Sequence, residues 1–204
     1  MILIGQYDSP FVRRVGIALT LYGLAFEHRP WSVFGDADKI AALNPLMRVP
    51  TLVLEDGFVL TDSHMILDHL DHQVNKRLVM FPRHEPARHR ALKVATLGTG
   101  LAEKAVALFY ERRLHDVTSA TWETRLQAQM GQVLSALEAD CTPDGSGGWW
   151  FGAMGHADIA VACALRFVTE AHGIALPPRL AAFSARAEAL PVFAQIQQPF
   201  IAPD

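Results

Sequence analysis

The chain has 204 residues, of which 50% are apolar and 19% are charged, and its formal net charge at pH 7 is −3. This length is sufficient for one or two buried cores, and the composition is typical of an ordinary globular protein and excludes a disordered chain. The small net charge creates no overall field that would attract nucleic acid or an anionic membrane.

The first residues and the two cysteines bear on localisation. Met1–Gly5 carries no basic segment and no long apolar segment of the kind that forms a signal peptide. No uninterrupted apolar run approaches the length of a membrane span. Cys141 and Cys163 are far apart and form no C-x-x-C motif, so the sequence does not indicate a disulfide framework. We therefore expect a cytoplasmic protein.

Strands and helices alternate in the prediction for the first part of the chain. Ile2–Ile4 is a short apolar run suited to a buried strand. Ser9-Pro10 predicts a helix start, with serine at the N-cap and proline at the first helical position, and Gly23 predicts its end. Phe26–Trp31 is expected to form a second strand. A short helix over Ala37–Leu43 should end before the next proline.

A hairpin and a helix complete this part of the chain. Thr51–Leu54 and Phe58–Leu60 are predicted strands, and the Asp-Gly pair between them is typical of a hairpin turn. Asp62-Ser63 then precedes apolar residues at helical spacing, namely Ile66, Leu67, Leu70 and Val74. The predicted order over roughly the first 75 residues is therefore βαβαββα.

The remainder of the chain is helical in pattern. The predicted helices are Ala87–Leu114, a segment containing Leu126 to Leu137, a buried central helix Ala157–Phe167, Arg179–Ala189, and a short last helix that begins at Pro191. A glycine-rich loop is expected from Pro143 to Gly148. The predicted organisation is an α/β domain over residues 1–76, a linker over 77–86 and an all-helical domain over 87–204.

Two short segments carry the candidate binding groups. Val49-Pro50 precedes a predicted strand, and proline cannot donate a ladder hydrogen bond, so backbone groups there stay available to a ligand. Asp62-Ser63 places a carboxylate and a hydroxyl at a helix start. Together they could hold a small zwitterionic peptide by strand-like pairing and charge. Separately, they could be no more than a strand entry and a helix cap.

These segments resemble a known family. The run Asn44-Pro45-Leu46-Met47-Arg48-Val49-Pro50-Thr51-Leu52, followed by Asp62-Ser63, is similar to the glutathione-binding half of the cytosolic glutathione S-transferases. Ser9-Pro10-Phe11-Val12-Arg13-Arg14-Val15 resembles a segment of bacterial members that use serine. The resemblance implies a thioredoxin-like N-terminal domain, a helical C-terminal domain and a cis peptide bond before Pro50. Asp62 stands where many relatives have glutamate.

The second half carries a further match. Gly152 to Ala160 is similar to a family segment in which Ser or Thr caps the central helix. Gly155 occupies that cap position here and offers no side-chain oxygen, so only the Asp158 half of the capping box is expected to remain. We interpret Asp158 as structural.

The resemblance implies that the chain activates the thiol of glutathione. A free thiol has a pKa of about 8.5, and a hydroxyl donor at a helix N-terminus would stabilise the thiolate. Ser9 fits this description and is the preferred candidate, although it could serve only as a helix cap. Tyr7 is the alternative donor, because some family classes use a tyrosine there. It could instead be a rim aromatic that packs on the second domain.

The resemblance also assigns binding roles. The backbone of Val49, beside Pro50, would pair with the cysteinyl part of glutathione, and Asp62 and Ser63 would hold the γ-glutamyl end. Arg48 would reach the glycyl carboxylate, unless it is a solvated surface charge. The candidates for the electrophile pocket are Phe11, Phe109, Tyr110 and Arg113, although aromatic residues at helical spacing are more often core.

Two charged clusters invite other interpretations. Asp68-His69 and Asp71-His72 suggest a metal site, but Asp68, Asp71 and His72 should lie on the solvated face of their helix, so we expect no metal. The basic residues between Arg83 and Lys93 lack interleaved aromatics and are weak evidence for nucleic acid. Together with the small net charge and the lack of a membrane-length apolar run, this leads us to expect neither nucleic acid nor a membrane as partner.

The leading hypothesis is a glutathione transferase of the detoxification type, with glutathione as co-substrate and a small electrophile of unknown identity as the second substrate. A homodimer is implied by the resemblance. The alternative is a transferase-like binding or interaction protein with weak or no turnover. Asp62 in place of glutamate and Gly155 in place of a capping hydroxyl leave that alternative open.

Overall fold

The computed structural model describes residues 1–141 and 148–200. The chain divides into two compact units. The first comprises Met1–Met80 together with the described residues from Leu190 onward, and the second is Phe81–Ala189. The loop expected from Pro143 to Gly148 lies outside the described residues, except for Gly148.

The first unit contains a mixed four-stranded sheet. Its strands are β1 (Ile2–Ile4), β2 (Glu27–Arg29), β3 (Thr51–Val53) and β4 (Val59–Thr61). They lie in the order β2-β1-β3-β4, with β1 parallel to β2 and antiparallel to β3, and with β3 antiparallel to β4. The order of elements βαβαββα and the thioredoxin-like architecture are confirmed. β2 is shorter than predicted because Pro30 has no N–H to continue the ladder.

Four helices accompany this sheet in the described part of the first unit. They are α1 (Pro10–Leu21), α2 (Ala37–Ala41), α3 (Ser63–Gln73) and α8 (Pro191–Gln195). The core is formed by apolar side chains of β1, α1, β3 and α3, which include Leu3, Ile4, Val15, Leu19, Leu52, Ile66 and Leu70. The apolar face predicted for α3 is thus the one that packs inward.

The second unit is helical in its described part. Its helices are α4 (Ala87–Leu114), α5 (Ala120–Asp140), α6 (His156–His172) and α7 (Pro178–Glu188). α6 is buried on nearly all sides, as predicted. Gly98 does not interrupt α4; a Cβ at this residue would lie 2.9 Å from the backbone nitrogen of Val161, so glycine allows α4 and α6 to pack closely. No helix in the described ranges is both long and apolar enough to cross a membrane.

The N-terminus of α6 has the predicted half of a capping box. Asp158 Oδ2 accepts a hydrogen bond from the backbone N–H of Gly155 at 2.9 Å, and Oδ1 accepts one from that of Trp150 at 3.0 Å. Asp158 is 1% exposed, and its burial raises the pKa of the carboxyl. The structural role expected for Asp158 is therefore observed.

The division of the chain differs from the predicted boundaries: the two units meet between Met80 and Phe81, inside the predicted linker, and the C-terminal segment is assigned differently. The sequence placed all residues after 86 in one helical domain, whereas the segment that begins at Leu190 belongs to the first unit. The reason is packing on α1: Phe193 is fully buried, Ile196 is 4% exposed, and α8 contacts α1. Sequence periodicity shows which face of a short helix is apolar, but it does not identify the element against which that face packs.

Candidate active site in the first unit

Ser9 is the N-cap of α1. Its backbone is extended, Pro10 follows at the first helical position, and the Ser9 Oγ accepts a hydrogen bond from the backbone N–H of Val12 at 3.5 Å. Within residues 1–141 and 148–200, no acceptor receives the Ser9 hydroxyl proton. Ser9 is partly exposed at the start of α1. Capping and donation to a ligand are therefore compatible roles.

Tyr7 is held inside the first unit. The side chain is 9% exposed, and its ring stacks on that of His28 with centroids 3.8 Å apart and an interplanar angle of 10°. Burial raises the pKa of Tyr7 to about 12, so the phenol is neutral at physiological pH. Within the first unit, the Tyr7 ring contacts His28 and lies beside Gly16.

The position of the Tyr7 ring bears on whether Tyr7 or Ser9 is the hydroxyl donor at the N-terminus of α1. A Cβ at Gly16 would lie 2.9 Å from Cε1 and 3.4 Å from Cζ of Tyr7, so the end of the ring that carries the hydroxyl lies beside Gly16. Gly16 is seven residues after Ser9 on the same helix. That separation corresponds to about 10 Å along the helix axis. The Tyr7 hydroxyl is thus located away from the N-terminus of α1.

Val49 lies next to the loop that follows β1. The Val49–Pro50 peptide bond is cis, as the resemblance implied. A Cβ at Gly5 would lie 2.5 Å from Cγ2 of Val12 and 2.7 Å from Cβ of Val49, and Gly5 has a φ of +126°. In the part of the chain that the structure describes, the Val49 N–H and C=O form no hydrogen bond. These two groups are available for strand-like pairing with a peptide.

Arg48 contributes its backbone to the same turn. Its carbonyl accepts hydrogen bonds from Asn44 Nδ2 and Thr51 Oγ1, both at 2.9 Å. Asn44 and Thr51 are buried, whereas the Arg48 side chain is exposed. Hydrogen bonds from two buried side chains therefore hold the turn before β3, and the Arg48 guanidinium extends from this turn into solvent.

Asp62 and Ser63 form the start of α3. Asp62 has a φ of +69°, and its Oδ1 accepts a hydrogen bond from the backbone N–H of His64 at 2.8 Å. Asp62 is exposed, and Ser63 is 3% exposed. The expected helix cap is therefore present, and it also presents a carboxylate at a helix N-terminus.

Arg14 connects the two helix starts, and the sequence interpretation assigned it no role. It is 1% exposed, and its Nη1 donates a hydrogen bond to Ser63 Oγ at 3.3 Å. α1, which begins beside Ser9, is thereby joined to the turn that carries Asp62 and Ser63. The available signal was the pair Arg13-Arg14 inside an otherwise apolar helix, because a buried arginine requires polar partners.

The four electrophile candidates belong to different units. Phe11 is partly exposed on α1 in the first unit. Phe109 and Tyr110 are partly buried on α4 in the second unit, with ring centroids 5.9 Å apart, and Arg113 is exposed on the same helix. Their common role in an electrophile pocket stays a prediction.

The charged residues of α3 are only partly solvated. Asp68 and His72 are exposed, as expected, and the His72 ring nitrogen lies 2.8 Å from the Asp68 carbonyl oxygen. The expectation for Asp71 is wrong, because its Oδ1 accepts a hydrogen bond from the Tyr22 hydroxyl. Among the described residues, no three His, Cys, Asp or Glu side chains converge as a metal site would require.

The chain resembles known proteins of one family. The family model for the N-terminal domain of glutathione S-transferases matches residues 3–78. An uncharacterised GST-like protein of Escherichia coli, YibF, is 28% identical over 169 residues, which cover 82% of each chain. A probable glutathione S-transferase of Oryza sativa subsp. indica, GSTU1, is 28% identical over 174 residues, covering 79% of this chain and 71% of the rice protein.

Two solved structures are similar to this chain over nearly its full length. A glutathione transferase family member from Pseudomonas fluorescens, solved with bound glutathione, has a TM-score of 0.84 and 28% identity, covering 98% of this chain and 99% of that one. A glutathione S-transferase from Methylobacterium radiotolerans, in complex with glutathione sulfonate, has a TM-score of 0.91 and 26% identity, covering 100% of this chain and 97% of that one.

Proposed function

Because this chain belongs to the glutathione S-transferase family, we propose that its first unit binds glutathione and activates the thiol for attack on a small electrophile. Glutathione and glutathione sulfonate are bound in structures that resemble the chain over nearly its full length, which supports glutathione as the co-substrate. The residues that would bind glutathione and activate its thiol all lie between Tyr7 and Ser63 of the first unit.

Binding would use three groups of the first unit. The N–H and C=O of Val49, which have no partner among the described residues, would pair with the backbone of the cysteinyl residue. The exposed Asp62 carboxylate would pair with the γ-glutamyl ammonium, and the N-terminus of α3 at Ser63 would receive its carboxylate. The exposed Arg48 guanidinium would pair with the glycyl carboxylate.

Activation would use Ser9. The glutathione thiol supplies the nucleophile once its proton is lost, but with a pKa of about 8.5 only a few per cent is ionised at neutral pH. A hydroxyl donor at a helix N-terminus favours the anion, because the donor and the partial positive charge of the helix both stabilise negative charge. Each unit by which the thiol pKa falls corresponds to about 1.4 kcal/mol of stabilisation of the thiolate relative to the thiol.

The chemical step would be displacement or addition. The sulfur lone pair forms a carbon–sulfur bond, the leaving group departs with its bonding pair or an activated double bond accepts the electrons, and the thiol proton goes to solvent. Phe11, Phe109, Tyr110 and Arg113 are the candidates for the electrophile pocket. The class of electrophile is to be found by a substrate screen.

One observation carries the proposal: Ser9 is partly exposed, and its hydroxyl caps α1 and has no acceptor among the described residues. The experiment is calorimetric titration with reduced glutathione, followed by conjugation assays with aryl halides, epoxides and activated alkenes. We expect binding at millimolar or lower concentration and turnover of at least one class. Binding without turnover would favour the interaction protein, and no binding at millimolar glutathione would overturn the proposal.

The proposal extends to a cytoplasmic homodimer. Cys141 and Cys163 are buried thiols, which suits a reducing compartment. Large apolar side chains of the first unit are exposed, with Leu46 62%, Phe58 61% and Met65 59% accessible, and such side chains are common at protein interfaces. Light scattering should give twice the mass of the chain, whereas a monomer at micromolar concentration would contradict the dimer.

A further inference from the structure

The segment Leu190–Phe200, which we call the C-terminal strap, packs on α1 within the first unit. Phe193 is fully buried and Ile196 is 4% exposed. A Cβ at Gly16 would lie 2.9 Å from Cγ2 of Ile196, so the strap approaches the surface of α1 closely where glycine provides the space. The strap is therefore part of the same packed unit as the candidate active site.

Arg13 anchors the strap to α1. Its side chain is 2% exposed, and it donates from Nε to the carbonyl of Ile196 at 2.8 Å and from Nη2 to that of Phe193 at 3.0 Å. Its guanidinium also lies 5.3 Å from the centroid of the Phe193 ring. Phe193 lies in the last turn of α8 and Ile196 is its C-cap, and carbonyl groups at a helix C-terminus lack helical partners. The strap thus supplies two hydrogen-bond acceptors to the buried guanidinium of Arg13.

Gln198 extends this anchor to the loop before α1. Two residues beyond Ile196, its Oε1 accepts a hydrogen bond from the backbone N–H of Tyr7 at 2.8 Å. Tyr7 is two residues before Ser9, and the backbone N–H of Ser9 donates to the carbonyl of Gln6 at 3.2 Å. The loop that positions Ser9 is therefore held by a side chain 191 residues away in sequence.

We infer that Gln198 is a positioning residue for Ser9, acting through its hydrogen bond to Tyr7. The inference rests on the proposed function, since it assumes that Ser9 serves the thiol. The Tyr7 N–H belongs to a buried residue, so loss of the Gln198 acceptor leaves a donor without its partner and destabilises this position of the loop. Displacement of a catalytic group by about 1 Å can reduce the rate by about a hundredfold.

The test compares three variants. Gln198→Met keeps the length of the side chain but removes the oxygen acceptor, Gln198→Glu restores an acceptor, and Gln195→Ala changes an exposed residue of α8 as the matched control. Kinetics with an electrophile and the absorbance of the bound thiolate against pH are measured for each. Thermal unfolding identifies any variant that fails to fold.

Gln198→Met should lower kcat about tenfold and raise the apparent pKa of the bound thiol, with less than about threefold change in KM for glutathione. Gln198→Glu should recover most of kcat, and Gln195→Ala should behave as the wild type. In a Ser9→Ala background, Gln198→Met should cause little further loss, because the two residues would act in series. Additive losses, or an unchanged thiol pKa in Gln198→Met, would overturn the inference.

Hydrogen exchange separates this inference from the proposed function. The Tyr7 amide should be protected in the wild type and should exchange faster in Gln198→Met but not in Gln195→Ala, whether or not the protein turns over an electrophile. Equal exchange in all three would overturn the inference. An inactive wild type that cannot bind glutathione would instead overturn the proposed function.

Discussion

Arg14 Nη1 donates a hydrogen bond to Ser63 Oγ at 3.3 Å, and both side chains are almost fully buried. This bond joins the helix that begins beside Ser9 to the helix that begins at Asp62-Ser63. A ligand that contacts both helix starts would therefore meet groups with a fixed relative position, because α1 and α3 also pack on each other.

The first prediction concerns this bond. Ser63→Ala removes the oxygen that accepts from Arg14, so we expect the free energy of unfolding to fall by about 1–3 kcal/mol. Affinity for glutathione should fall about tenfold, because the start of α3 loses its support. Denaturant unfolding and calorimetry measure the two effects. Ser135→Ala, at an exposed serine of α5, is the control; equal effects in both variants would remove the special role of Ser63.

The second prediction concerns Gly5. Its Cβ position is occupied by Val12 and Val49, and its φ is +126°. Gly5→Ala should therefore destabilise the protein by about 2–5 kcal/mol, through overpacking and backbone strain together. Gly57→Ala is the matched control, since Gly57 has a φ of +86° with no atom near its Cβ position, and it should cost about 1–2 kcal/mol. Similar losses of unfolding free energy in Gly5→Ala and Gly57→Ala would show that the close approach of Val49 to Gly5 does not contribute to stability.

The third prediction distinguishes Ser9 from Tyr7. Ser9→Ala should raise the apparent pKa of bound glutathione by about one unit or more, since the donor at the N-terminus of α1 is lost. Tyr7→Phe should leave it nearly unchanged, because the end of that ring lies beside Gly16. The absorbance of the thiolate against pH measures both. An unchanged pKa in Ser9→Ala would transfer the role to Tyr7 or to the helix N-terminus alone.

The fourth prediction concerns acid stability. Burial lowers the pKa of His28, although its ring nitrogen lies 2.8 Å from the Gly5 carbonyl oxygen, which opposes this shift. The unfolded chain therefore binds a proton more readily, so stability is full above the usual pKa of about 6.5 and falls as the pH drops below it. His28→Gln should reduce the loss of unfolding free energy between about pH 7 and pH 5.

The control for this prediction is His72→Gln, at an exposed histidine of α3. Residual acid sensitivity is expected in His28→Gln, because burial also lowers the pKa of His172 in the second unit. Denaturant unfolding at several pH values gives the comparison. The same pH dependence in His28→Gln as in the wild type would contradict the assignment of this effect to His28.

Local signals predicted the elements that carry the site. Ser9-Pro10 marked the start of α1, and the Asp-Gly turn marked the hairpin, because each depends on backbone geometry within a few residues. The long helix α4 also begins and ends at the predicted residues, Ala87 and Leu114. These features are decided by the chain near them, so one sequence is enough to find them.

The contacts that fix the site could not be predicted in this way. Arg14 meets Ser63 across 49 residues, Arg13 meets Ile196 across 183, and Tyr7 meets Gln198 across 191. Such pairs depend on which elements pack together, and helical periodicity identifies an apolar face without its partner. The same limit explains why α8 was assigned to the helical domain although it packs on α1.

A crystal structure of the protein with reduced glutathione tests the central claim most directly. We expect the cysteinyl backbone to pair with Val49 and the sulfur to lie within hydrogen-bonding distance of Ser9 Oγ, at the N-terminus of α1. A sulfur nearest the Tyr7 hydroxyl, or a tripeptide bound away from the turn before β3, would contradict the account.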